Sequence, residues 1–162
     1  MRETGMMQRR KFVARIAGLV AAGATGPRLW AALPGGLAPI PITVYKSSTC
    51  DCCTKWVEHI RASGFAPVVH DHEEMEALKD EMGVPPAVRS CHTGIVEKYL
   101  IEGHVPASDI HRLLAERPKT AGLAVPGMPP LTPGMAPAGV KPKDFDVVSF
   151  KPDGSTTLFS RH

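Results

Sequence analysis

Short runs of β-branched and aromatic residues recur along the first two thirds of the chain, and they predict four strands. The runs lie at residues 42–45, 65–70, 89–96 and 98–101. The last two are separated by a single residue, so a tight connection is expected to pair them antiparallel.

Between these runs, apolar residues spaced three or four positions apart predict three helices. Gly64 and Gly83 are suited to end the first two helices, and Pro118 lies just beyond the end of the third. Asp71 with Glu74 three residues later is typical of a capping box at the start of the second helix. The expected inward faces are Trp56, Val57 and Ile60; Met75, Leu78 and Met82; and Ile110, Leu113 and Leu114.

The predicted order of elements is therefore β-α-β-α-β-β-α, which with right-handed crossovers gives an α/β fold with a small mixed sheet flanked by helices. Proline and glycine dominate residues 122–142, which excludes helix and disfavours interior strand. Residues 146–150 and 156–159 flank a Pro-Asp-Gly turn and predict a C-terminal hairpin.

The N-terminus has the pattern of an export signal. Residues 8–13 read Gln-Arg-Arg-Lys-Phe-Val, and residues 16–24 are apolar but too few to span a bilayer, which takes about 20. The paired arginines resemble the twin-arginine type of signal, which carries folded proteins and predicts a periplasmic location. After cleavage of this segment, no stable membrane span is expected.

Charge and composition indicate which class of protein and which kinds of partner to expect. Residues 1–32 hold six of the 19 Lys and Arg and one of the 16 acidic residues, so the remainder has a net charge of −2. The basic balance thus belongs to the leader, and it gives no reason to expect nucleic-acid binding. A chain that is 43% hydrophobic and 22% charged is typical of soluble globular proteins.

The chain therefore divides into five parts: a twin-arginine-type signal segment (1–32), a Gly/Pro spacer (33–41), a core (42–118), a Pro/Gly/Met loop (119–144) and a C-terminal hairpin that joins the core (145–162).

Three of the four cysteines, Cys50, Cys52 and Cys53, lie where the first strand turns into the first helix. Unpaired backbone N–H groups and the helix dipole favour anionic sulfur at this position. Lys46 and Lys55 add positive charge nearby, so lowered thiol pKa values are expected. The thiolate is both the nucleophile and the metal ligand, and the turn is a sulfur site.

Two chemistries suit this turn. Cys50 and Cys53 form a Cys-x-x-Cys pair that can cycle between dithiol and disulfide. Three thiolates within four residues can instead bind a soft metal, with Cu(I) and Zn(II) as the leading ions. Cys52 favours the metal, because a redox pair needs only two sulfurs.

The order of elements, with Cys-x-x-Cys at the start of the first helix, resembles the thioredoxin fold. In that family a loop before the third strand packs against the cysteine pair, usually through a cis-proline. Residues 90–93, Ser-Cys-His-Thr, occupy this place here, without a proline. The resemblance brings Cys91 towards the other three sulfurs, and the missing proline weakens a disulfide-exchange function.

Residues 44–53, 90–93 and 102–106, together with 122–128, resemble the CopG-like periplasmic proteins associated with copper resistance. The likeness runs over residues 42–159. The resemblance implies a thioredoxin-like domain that binds copper through its cysteines. A Cu(I)/Cu(II) redox role is a further function that it implies.

Further ligands are expected outside the cysteines. Met128 and Met135 lie in Pro-Gly-Met contexts of the loop, and a thioether suits Cu(I). His104, in the turn before the third helix, is the best histidine candidate. Strand alternation predicts that His92 points away from Cys91. The helical histidines 59 and 111 are expected to be solvated.

The leading hypothesis is an exported protein that holds one or more Cu(I) ions through Cys50, Cys52, Cys53 and Cys91, for sequestration, transfer or copper redox. Copper-handling proteins of the envelope are the expected partners. A thiol–disulfide oxidoreductase using Cys50 and Cys53 is the first alternative. A structural zinc domain is the second.

Overall fold

The computed structural model describes residues 38–162. The predicted signal segment, residues 1–32, and residues 33–37 of the predicted spacer lie outside this range.

One seven-stranded mixed sheet organises the described chain, in the order β2-β1-β3-β4-β5-β6-β7. The β1/β2 and β4/β5 pairs are parallel and the other four are antiparallel. This confirms the predicted α/β class, the mixed sheet and the C-terminal hairpin. The strands are β1 Ile40–Lys46, β2 Phe65–Asp71, β3 His92–Val96, β4 Tyr99–Glu102, β5 Gly122–Ala124, β6 Asp146–Phe150 and β7 Thr156–Arg161.

The three predicted helices are present as α1 Asp51–Ala62, α2 Met75–Met82 and α3 Ala107–Glu116. The predicted capping box is wrong, because Asp71 is the last residue of β2 and Glu74 caps α2 without a side-chain hydrogen bond. The Asp71 carboxylate instead accepts a hydrogen bond from Lys46 Nζ at 3.0 Å. A cross-strand ion pair thus replaces the expected cap.

The main core lies between the sheet and helices α1 and α3. The inward face predicted for α1, with Trp56, Val57 and Ile60, is buried, as are Ile110 and Leu113 of α3. The Trp56 indole N–H donates to the Val105 carbonyl at 2.9 Å and so ties α1 to the segment before α3. Trp56 lies one helical turn after Cys52 and Cys53, so this bond attaches the part of α1 that follows the cysteines.

Strand β5 was not predicted, since it falls in the region interpreted as loop. It pairs with β4 on one side and β6 on the other, and so joins the hairpin to the rest of the sheet. A Cβ at Gly122 would lie 1.9 Å from the Leu100 carbonyl oxygen, so this close approach of β4 and β5 requires glycine. Within residues 38–162, no helix has the length and apolarity needed to cross a membrane.

Candidate metal centre

The turn between β1 and α1 carries three cysteines, as the sequence predicts. Cys50 is the N-cap of α1 with extended backbone, and its carbonyl accepts the first helical hydrogen bond from the Thr54 N–H at 3.2 Å. Cys52 and Cys53 lie in the first helical turn, where Cys53 is fully buried and Cys52 is half-buried. The three sulfurs therefore lie at the N-terminal end of α1.

A disulfide joins Cys50 to Cys53, while Cys52 and Cys91 are free thiols. The Cys50 and Cys52 sulfurs are 3.5 Å apart. The two residues predicted as a redox pair are thus bonded to each other, which leaves the third cysteine of the turn with its thiol beside them.

Cys91 joins this group from a distant part of the chain. It precedes β3, and its sulfur lies with those of Cys50, Cys52 and Cys53 in a set whose atoms are all within 4.8 Å of one another. The predicted gathering of four sulfurs is present. Which of them bind a metal stays a prediction.

The His104 ring contacts Cys91 from the turn before α3. Its Nε2 is 3.1 Å from the Cys91 sulfur, and its Nδ1 donates to the Pro133 carbonyl at 2.6 Å. Because Nδ1 carries the proton, Nε2 of the neutral ring has a lone pair directed at the thiol. This tautomer is suited to metal binding, since a hydrogen bond from one ring nitrogen orients the other.

His92 also contacts Cys91, and the prediction that it points away is wrong. Its Nδ1 is 3.3 Å from the Cys91 sulfur. Cys91 lies before the first residue of β3, so strand alternation does not separate the two side chains. The His92 ring is fully buried with its centre 4.3 Å from that of Trp56, and its Nε2 has no hydrogen-bond partner in the described part of the chain.

Burial determines the protonation of these groups. It raises the pKa of the Cys91 thiol to about 12, with a further contribution from Cys52. Burial also lowers the pKa of His104, and it lowers that of His92 well below the ordinary value. A bound metal ion would displace the proton of the Cys91 thiol, because a coordinating thiol is deprotonated.

The Pro/Gly-rich loop packs against the start of α1 at Gly134. A Cβ at Gly134 would lie 2.7 Å from the Trp56 backbone nitrogen and 3.1 Å from the Cys52 carbonyl oxygen. Met135 follows and is half-buried, whereas Met128 is 59% exposed. Copper ligation by either methionine stays a prediction.

Three other histidines have protein partners away from the cysteines: His59, His111 and His162. The half-buried His59 accepts a hydrogen bond from the Ala107 N–H at 3.2 Å, so the expectation that it is solvated is wrong. The exposed His111 donates to the Ser63 carbonyl at 2.9 Å. His162 lies 2.7 Å from the Asp109 carboxylate.

Comparisons with known proteins agree with this geometry. A family model described as "Protein of unknown function, DUF411" matches residues 88–135, a range that contains Cys91 and His104. No curated protein matches the chain.

Two solved structures are similar, "Copper resistance protein copG- Form 1" and "Copper resistance protein copG- Form 2". Each is 39% identical to this chain with a TM-score of 0.70, and the match covers 76% of this chain and 98% of the other. Likeness of sequence and fold over nearly the whole length of these relatives shows that the chain belongs to the CopG family of copper resistance proteins.

Proposed function

We propose that this protein is an exported copper-binding protein that holds Cu(I) in its reduced form. The ligands would be the thiolates of Cys50, Cys52, Cys53 and Cys91, with His104 Nε2 as a nitrogen ligand. The observation that carries the proposal is the set of four sulfurs within 4.8 Å of one another. Membership of a copper resistance family supports copper as the metal.

The donor set suits a soft monovalent cation. Thiolates select Cu(I), and the buried His104 is neutral and ligand-competent because its pKa is lowered. Thiolate sulfur can also bridge two metal ions, so four cysteines can bind more than one Cu(I). Met128 and Met135 are the further soft donors of the loop that packs against the start of α1.

Reduction of the Cys50–Cys53 disulfide would control loading. Two electrons and two protons from a dithiol reductant convert the disulfide to two thiols, and the reductant becomes a disulfide. Each thiol then releases its proton when its sulfur binds Cu(I). The disulfide form keeps only two free thiols, Cys52 and Cys91, so it should bind copper more weakly.

Anaerobic titration of Cu(I) against a chromophoric chelator tests the proposal. The reduced protein should extract Cu(I) from the chelator, and the disulfide form should extract less. Failure of the fully reduced protein to compete, with its four thiols verified by titration, would refute copper binding at this site. Addition of Zn(II) before Cu(I) tests the zinc alternative. If zinc is structural, Cu(I) should not displace it, and a chelator that removes the zinc should unfold the protein.

Export by the twin-arginine route is part of the proposal and is supported by residues 8–13. Replacement of Arg9 and Arg10 by lysine should retain the protein in the cytoplasm, as measured by cell fractionation. Unchanged periplasmic accumulation of this variant would exclude the route. Copper-handling proteins of the envelope would be the partners.

A thiol–disulfide oxidoreductase is the second candidate, favoured by the Cys50–Cys53 disulfide at the start of α1. Metal-free protein would then reduce insulin catalytically with a dithiol as electron source, and Cys53→Ser would abolish turnover. Copper binding without such turnover would exclude the oxidoreductase and support copper binding as the function.

A further inference from the structure

Helix α2 buries one side chain completely, and that side chain is charged. Lys79 has an exposed fraction of 0%, whereas the apolar positions predicted to face inward, Met75, Leu78 and Met82, are only half-buried. Lys79 Nζ donates to the Glu102 carboxylate and, at 3.1 Å, to the Thr93 hydroxyl. A buried ammonium group requires such partners, because desolvation of a lone charge is costly.

Glu102 is equally buried and joins three segments of the chain. Its carboxylate accepts hydrogen bonds from Lys79 on α2, from the Ser90 backbone N–H at 2.6 Å, and from the Thr93 hydroxyl at 2.6 Å. Both of its oxygens are therefore satisfied by donors from outside β4. No pattern in the sequence predicts this pair, because Lys79 and Glu102 have the polar character expected of solvated positions.

The segments joined by Glu102 carry the two groups that meet at the centre. Ser90 directly precedes Cys91, and Glu102 lies two residues before His104. Between them, the Gly103 N–H donates to the His92 carbonyl at 3.0 Å. Gly103 has a φ of +70°, and a Cβ there would lie 2.5 Å from the Ser90 hydroxyl oxygen. The two segments thus touch along their backbones.

This packing connects the buried carboxylate to the 3.1 Å approach of Cys91 to His104. The bond from Ser90 fixes the backbone immediately before Cys91, and the position of Glu102 fixes the start of the turn to His104. Stability alone does not require an ion pair here, because a well-packed apolar pair of similar volume is often neutral or stabilising. Groups that orient metal ligands, in contrast, commonly act through hydrogen bonds of this kind.

We propose that Glu102, held in place by Lys79, is a positioning residue that fixes Cys91 against His104 and thereby sets the affinity of this part of the centre for a soft monovalent cation. The inference rests on the proposed function for its ligand, Cu(I). Glu102 would not itself contact the metal. It would act by holding the backbone of Ser90.

Two double variants separate the hydrogen bond to Ser90 from the charge of the pair. K79M/E102Q removes both charges but keeps a side-chain oxygen that can accept from the Ser90 N–H. K79M/E102L removes both charges and the acceptor. Because the lysine is replaced in both, neither leaves an unpaired buried charge. Urea unfolding of the two variants verifies that both fold.

Competition titration of the reduced proteins with Cu(I) then gives the first readout. We expect K79M/E102Q to bind within about 3-fold of the wild type and K79M/E102L to bind about 10–100-fold more weakly, the usual loss for groups that orient a ligand. The difference between the variants should vanish in a C91S/H104A background. Equal affinities of the two variants, or a difference that persists in that background, would overturn the inference.

The second readout needs no copper. In the reduced, metal-free protein, the nuclear Overhauser contact between the Cys91 β-protons and the His104 ring should be present in the wild type and K79M/E102Q and lost in K79M/E102L. Its persistence in K79M/E102L would refute the positioning role. If the wild type shows this contact and K79M/E102L loses it, but the reduced wild type binds no Cu(I), the proposed function is refuted and the positioning role stands.

Discussion

Two regions of the molecule gather polar side chains from distant parts of the chain, and they differ in how those groups are satisfied. The Asp109 cluster, formed by Asp109, Ser160 and His162, joins α3 to the end of β7. Its buried carboxylate accepts from the Ser160 hydroxyl at 2.9 Å and from His162 Nε2 at 2.7 Å. Donors and acceptors are matched within the cluster, so it holds two elements together.

The candidate metal centre has a different composition. Cys91 meets neutral histidine nitrogens and the sulfurs of the turn within 4.8 Å, and the Ser90 hydroxyl approaches its sulfur only at 4.0 Å. Weak thiol donors and soft acceptors satisfy each other poorly, so these groups remain available to a cation. The comparison teaches that proximity of polar groups alone does not define a ligand site. A ligand site is defined by the softness of its groups and by their lack of strong mutual partners.

Removal of Cys91 should have the largest effect of the changes considered, and the quantity affected is the affinity for Cu(I). In reduced Cys91→Ser, Cu(I) should bind more than about 100-fold more weakly, beyond the usual loss for residues that only support a ligand. The reason is loss of the sulfur that connects the turn to His104. Chelator competition measures the affinity, and Asp109→Ala is the control expected to bind as the wild type does. An affinity of Cys91→Ser within a few-fold of the wild type would remove Cys91 from the ligand set.

Removal of Asp109 should produce the reverse pattern. Asp109→Ala deprives the Ser160 hydroxyl and His162 of their acceptor, and we expect the free energy of unfolding to fall by about 1–3 kcal/mol. Urea denaturation measures this change. Copper affinity should be unaffected, and a parallel loss of Cu(I) binding would show that the two regions are not independent.

His59 offers a smaller test of a histidine whose role is structural. Burial lowers the pKa of His59, so the unfolded chain takes up its proton at a higher pH than the folded protein does. Its contribution to stability is therefore present above the ordinary histidine pKa near 6.5 and is lost as pH falls through that value. In His59→Gln, an acceptor for the Ala107 N–H is kept without titration.

Between pH 7.5 and 5.5 the wild type should consequently lose more stability than His59→Gln, by on the order of 1 kcal/mol, the worth of one hydrogen bond. Urea denaturation at both pH values gives the difference. Identical pH dependence of the two proteins would show that the bond to Ala107 does not respond to protonation.

Local patterns in the sequence predicted most of the fold. The hairpin of β6 and β7 was predictable because a Pro-Asp-Gly turn separates two short apolar runs. Strand β5 was missed, since it has three residues and begins at a glycine that is explained only by the approach of Leu100. The capping box failed because Lys46, 25 positions away, binds the aspartate instead.

The candidate site was predictable in its sulfurs and not in its surroundings. Three cysteines in one turn mark the centre locally, and the resemblance to a known fold added Cys91. The contact with His92 depends on where β3 begins, which periodicity does not define to one residue. The Lys79–Glu102 pair is a tertiary contact between residues 23 positions apart, and burial of a lysine leaves no mark in a helical pattern.

X-ray absorption at the copper edge of the reduced, Cu(I)-loaded protein tests the central claim most directly. The account predicts a first shell dominated by sulfur with a nitrogen contribution that disappears in His104→Ala, and a lower copper content in Cys52→Ser. A shell of nitrogen and oxygen alone, or copper content and spectra unchanged in both variants, would contradict it.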